Sequence, residues 1–73
     1  MAKYSAIIFS SGTTHNFVDF EAPNITAAKR YATRNLDYGY MGDTIRLYRF
    51  DNSGRRQLIS QKDFVSGARW IDG

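Results

Sequence analysis

The chain has 73 residues, of which ten are Lys or Arg and seven Asp or Glu, giving a formal charge of +3 with no cysteine. A chain this short has material for one domain, 1–73, that buries roughly 60% of its unfolded surface. The missing cysteines exclude disulfides and thiolate metal sites, so stability must come from packing five Phe, five Tyr and one Trp. No apolar run approaches the roughly 20 residues of a membrane span, and Met1 to Ser10 lacks the pattern of a secretory leader. The expectation is a cytoplasmic protein.

Lys3 to Phe9 reads as a strand rich in Tyr, Ile and Phe. Asn16 to Ala22 reads as a second, alternating Phe17, Asp19 and Glu21 against Val18, Phe20 and Ala22. Between them Ser10-Ser-Gly-Thr-Thr-His15 has turn composition, which predicts an antiparallel hairpin with His15 in the turn. Pro23 ends the second strand and Asn24 is placed to cap a helix from about Ile25 to Leu36; the same asparagine heads a glycosylation sequon, for which the capping role is the better explanation. At about 100° per residue, Ile25, Ala28, Ala32 and Leu36 form the core stripe, and Arg30 and Arg34 point the opposite way. Asp37, Gly39 and Gly42 mark the loop that follows, around Tyr40 and Met41.

Thr44 to Asp51 predicts a third strand with Ile45, Leu47 and Arg49 on one face and Arg46, Tyr48 and Phe50 on the other. Asp51-Asn-Ser-Gly54 is a turn sequence and Gln57 to Ser60 the returning strand. Lys62 to Gly67 reads as a loop anchored by Phe64 or Val65, and Ala68 to Ile71 as a short edge strand. The resulting order, ββαβββ, predicts an α+β fold: an antiparallel sheet of about five strands with one helix packed on one face.

Catalytic chemistry finds little support. His15 is the only histidine and has no cysteine or Ser-centred motif near it in sequence, and the Asp19 and Glu21 pair shares a face of a sheet too small to supply a cleft. Asp37 with Asp43 has no metal-ligand spacing, and the glycines form no phosphate-binding fingerprint. The reading is a protein that is not an enzyme and has no cofactor, metal or small-molecule substrate. What remains is arginine, seven of the ten cations, beside aromatic rings. That is the composition of nucleic-acid grooves and of protein hot spots alike. The candidate contact residues are Lys29, Arg30 and Arg34 on the helix, Arg46 on a strand and Arg69 before Trp70. For Arg30 and Arg34 the competing reading is a solvated helix face. Arg46, Tyr48 and Phe50 could form a stacking platform for single-stranded bases, provided the helix does not cover that face. Trp70 reads as a core or edge anchor.

Several of these residues also fit a known pattern. The opening strand Tyr4-Ser-Ala-Ile-Ile8, Glu21-Ala22 followed by Ile25, Ala28-Lys-Arg30 and Ala32, then Gly42 with Ile45-Arg46, and the closing Gly67-Ala-Arg-Trp-Ile-Asp72 span most of the chain in order. In these elements the chain resembles a small phage-encoded anti-CRISPR family that blocks the type I-F Cascade surveillance complex. The resemblance implies a five-stranded antiparallel sheet with one helix. It further implies an inhibitor, working in the host cytoplasm, that wedges against the Cascade backbone subunits displaying the guide RNA and prevents target DNA from hybridising. Promotion of sequence-independent binding to double-stranded DNA is also implied, with Lys29, Arg30, Arg34 and Arg69 at the matching basic positions. The segment from Arg49 to Gly67 is longer here than in the family pattern, and Tyr38-Gly-Tyr40 is less polar. The alternatives from the residues alone are a stand-alone nucleic-acid-binding domain, or a phage adaptor or inhibitor of another host protein.

Overall fold

The alternation of apolar and polar side chains produces the first hairpin, β1 (Ala2–Ser10) and β2 (Thr13–Ala22), in a computed structural model that describes residues 1–10, 12–36, 43–63 and 69–72, apart from the side chain of His15. Register pairs Tyr4 with Phe20 and Ala6 with Val18 on the face that collects the core side chains, and Ile7 with Phe17 on the other. The turn is tighter than the composition predicts. Gly12 takes φ 81°, a conformation open to glycine at little steric cost, and β2 already starts at Thr13. His15 therefore belongs to a strand and not to the turn, with the extra residue absorbed by a register shift at Ile8/Phe9.

Helix α1 spans Ile25–Asn35. Asn24 Oδ1 accepts the Ala27 N–H at 2.9 Å, and the Asn24 carbonyl accepts the first helical bond from Ala28. A cap of this kind contributes about 1 kcal/mol. Ala28, Ala32 and Leu36 are buried, as the spacing predicts, whereas Ile25 at the entrance is 36% exposed. The small alanines let the helix lie close to Ala6 and Ala22, both buried beneath it. Its approach is fixed further by a ring stack, with Tyr31 4.2 Å from Phe20 and Phe20 5.9 Å from Tyr4 between centroids.

Strand β3 (Asp43–Phe50) pairs antiparallel with β1, placing Leu47 opposite Ala6 and Ile45 opposite Ile8. Ile8, Ile45 and Leu47 have no exposed surface and form the centre of the core. A turn then follows in which Asp51 Oδ1 accepts from the Ser53 N–H, the Ser53 hydroxyl and the Arg55 N–H, while Gly54 takes φ 85°. These bonds hold the Asp51 carboxyl below its ordinary range, Ser53 contributing most and the Arg55 N–H next. Strand β4 is Arg56–Asp63, longer than the stretch ending at Ser60 that composition suggests. Lys62 and Asp63 are in the sheet because each has a cross-strand partner: Asp63 accepts from the Thr44 hydroxyl at 2.9 Å, and the Lys62 ammonium lies 5.8 Å from the Trp70 ring centroid. Strand β5 (Arg69–Asp72) completes a five-stranded antiparallel sheet of order β2-β1-β3-β4-β5. The α+β reading, ββαβββ with the helix on one face, is what the chain adopts. The expected loop after the helix, with Asp37, Gly39, Tyr40, Met41 and Gly42, and the expected anchor at Phe64 or Val65 lie outside the described residues.

Candidate interaction surfaces

The helix carries Arg30 and Arg34 on the side turned from the sheet. Arg30 and Arg34, one turn apart, are both exposed, and among the described residues no hydrogen bond or ion pair engages either guanidinium. Arg34 sits in the last turn, where its charge favours the carbonyl end of the helix dipole. The two arginines form a ridge with a depression on each side. One depression, about 550 Å³, is lined by Thr26, Lys29, Thr33 and Trp70 as well as by both arginines. The other, about 380 Å³, is lined by Ala27, Tyr31 and Asn35 together with the same pair. A cationic ridge rising between two partly apolar hollows offers charge, donor geometry and shape to a partner.

Lys29 belongs to this surface but already has a partner. Its ammonium donates to Asp72 Oδ1 at 2.8 Å, and the same oxygen accepts from the Ser60 hydroxyl at 2.8 Å. The bond joins the helix to β5, the edge strand that has the fewest pairing residues. Trp70, half-buried against the core, lines the depression between them, so the anchor expected from the sequence is realised. Lys29 first, then Ser60, holds the Asp72 carboxyl below its usual 3.8. Because the folded value is depressed, the stabilisation is present above that value in neutral solution and is lost as pH falls through the lowered one. Acidification below about pH 4 is expected to release β5 from the helix before the core opens. Amide exchange followed by NMR would record this as early loss of protection at Ile71 and Asp72 relative to Ile45 and Leu47, and Asp72→Asn should abolish the pH dependence of that difference.

Of the five candidate cations, the fold brings Lys29, Arg30 and Arg34 together and places Arg46 and Arg69 elsewhere. Arg46 opposes Ile7 and Gln61, and Arg69 opposes Asp63, positions on the face of the sheet away from the helix. Arg46 Nε donates to Gln61 Oε1 at 3.2 Å, and its guanidinium carbon lies 4.9 Å from the Phe9 ring centroid. Arg69 therefore does not join the helical cations. Its face is decided by a register that the local sequence does not encode.

The helix leaves the second face of the sheet uncovered. Ile45 and Leu47 are the buried set of β3, so Tyr48 and Phe50 stand on the open face, which is the arrangement the platform reading requires. The same face carries Phe9, Phe17, Leu58 and Ile71, of which Phe17 is 63%, Leu58 48% and Ile71 56% exposed. Sequence reasoning singled out neither Phe9 nor Arg56 for this surface, although each falls on it by strand alternation. Asp19 and Glu21 are solvated side chains at its β2 margin, as expected.

Among the described residues, no group of three or more His, Asp or Glu side chains could hold a metal ion, and no helix is long and apolar enough to cross a membrane. Comparison with known proteins returns no matching family model, curated relative or solved structure.

Proposed function

We propose that this chain is a non-catalytic phage inhibitor acting in the host cytoplasm, where it binds the backbone subunits of a type I-F Cascade complex and keeps target DNA from hybridising with the guide RNA. The observation that carries the reading is the ridge of Arg30 and Arg34, two exposed guanidiniums with no intramolecular partner among the described residues. Unpaired arginines on a rigid element meet a phosphate-rich or carboxylate-rich surface with little ordering cost. Two further features support it: the anti-CRISPR-like blocks of sequence from Tyr4 to Asp72, and a five-stranded sheet with one helix, the architecture that resemblance implies. In this mechanism the helix ridge occupies the backbone surface beside the guide. Occlusion needs no bond-making, only residence. The same cations would give the complex its capacity to hold double-stranded DNA without regard to sequence.

The test is reconstitution. The full chain mixed with guide-loaded type I-F Cascade should co-elute on size exclusion, and pre-mixing should suppress binding of a labelled target duplex. Failure to co-elute at micromolar concentration contradicts the proposal.

A further inference from the structure

The face of the sheet that the helix leaves bare is the remaining surface with a defined chemistry. Its rings are concentrated on the two strands β1 and β3, which are neighbours in the sheet: Phe9 on β1, and Tyr48 and Phe50 on β3. Tyr48 and Phe50 alternate along one strand and so stand about 7 Å apart on the same face. Each of the three rings has a cation over it. Arg46 is 4.9 Å from Phe9, Lys3 5.1 Å from Phe50 and Arg56 5.4 Å from Tyr48, measured to the ring centroids. Beneath them Ser5, which opposes Tyr48 on β1, has no exposed surface although it lies on the open face, and its hydroxyl has no hydrogen-bond partner among the described residues. The surrounding side chains therefore lie over the sheet as a packed layer. Rings held in this way lose little freedom when a ligand settles on them.

Charge on this face is asymmetric. Among the described residues Lys3, Arg46, Arg56 and Arg69 accompany the rings, against three carboxylates on the same face: Glu21, which opposes Lys3, Asp19, which opposes Ser5, and Asp63, which already accepts from Thr44. The ring-bearing side thus has a small excess of positive charge beside half-buried rings that carry cations on their outer faces.

We propose that this open face binds single-stranded nucleic acid, its bases stacking on Phe9, Tyr48 and Phe50 or on the guanidinium planes above them, and its phosphates meeting Lys3, Arg46, Arg56 and Arg69. A single strand is specified because only unpaired bases can splay onto a flat sheet; a duplex keeps its π surfaces inside its own stack. The proposal is independent of the helix ridge, which lies on the other side of the molecule, and stands or falls without Cascade.

Fluorescence anisotropy of a short labelled oligo-dT titrated with the full chain alone tests it. The wild-type chain should bind, with affinity falling as salt rises. Tyr48→Leu with Phe50→Leu, which keeps apolar bulk and removes the aromatic faces, should weaken binding at least about tenfold, while Tyr48→Phe should leave it nearly unchanged. Arg46→Glu with Arg56→Glu should weaken it to a similar extent, which covers the case in which the leucine variant fails to fold. Four results would overturn the proposal: no binding by the wild-type chain, equal affinity for a duplex of the same length, loss of binding with Arg30→Glu and Arg34→Glu but not with the sheet variants, or sedimentation showing that this face instead pairs two copies of the chain and the oligonucleotide does not compete.

Discussion

Replacing Arg30 and Arg34 together by glutamate should leave the protein folded and reduce its affinity for Cascade by about a hundredfold or more. Both side chains are exposed and take part in no described hydrogen bond or ion pair, so the fold loses nothing specific, and surface changes of this kind stay within about 0.5 kcal/mol each. Binding is affected differently, because each reversal removes an arginine contact and sets a like charge against an anionic partner, a combination worth several kcal/mol at the centre of an interface. Two arginines becoming two glutamates change the charge by −4, from +3 to −1, so long-range attraction weakens as well. A control separates the two effects. Arg46→Glu with Arg69→Glu makes the same change in net charge on the opposite face of the sheet and should slow association without abolishing the complex. Equal loss in both double variants would mean that overall charge, not the ridge, carries the interaction. Unfolding of the Arg30 and Arg34 variant, seen by circular dichroism, would mean that the helix is phased differently.

The second large effect concerns the core. Leu47→Ala should cost about 2–5 kcal/mol, because Leu47 has no exposed surface and sits where β3 meets Ala6 beneath the helix, leaving a cavity that nearby groups cannot fill. Stabilities run at about 0.05–0.15 kcal/mol per residue, so a chain of 73 residues has roughly 4–11 kcal/mol in total. The substitution therefore removes a large fraction of it, and the thermal midpoint should fall by at least about 10 °C. Phe17→Ala, on an edge strand with the ring mostly in solvent, should shift that midpoint far less despite removing a larger side chain. If Phe17→Ala proved the more damaging in a thermal melt, the Phe17 ring would have to be buried in the isolated chain, and the assignment of the core to the helix-covered face would fail.

Local pattern made the strands and the helix legible because each buries a face with a simple period. An apolar, nearly uncharged run marks β1, two-residue alternation marks β2 and β3, and the Asn24 cap with Ala28, Ala32 and Leu36 marks the helix. Where the reading missed, the missing information was non-local. Lys62 and Asp63 look like loop residues by composition, yet they extend β4 because Trp70 and Thr44 lie across from them. His15 looks like a turn residue, yet the turn contracts around Gly12 and the strand begins earlier. The candidate surface divides in the same way. Helical periodicity was enough to put Arg30 and Arg34 on one exposed side. No periodicity could reveal that Lys29 would be taken by Asp72, which is 43 positions further along the chain, or that Arg69 would face away from the helix. The open platform was conditional in the sequence on which side of β3 the helix covers. Burial of Ile45 and Leu47 decides that condition, and it also brings Phe9 from β1 alongside Tyr48 and Phe50.

The proposed role of the ridge is tested most directly by asking whether Cascade contacts that side of the molecule. Because the chain contains no cysteine, a single introduced thiol gives a unique attachment point for a photo-crosslinker. Thr33→Cys places it in the groove beside Arg30 and Arg34, and Gln61→Cys places it on the opposite face of the sheet. Irradiation of each labelled chain with guide-loaded type I-F Cascade should capture a backbone subunit from position 33 and not from position 61. Capture from position 61 alone, or from neither, would contradict the account.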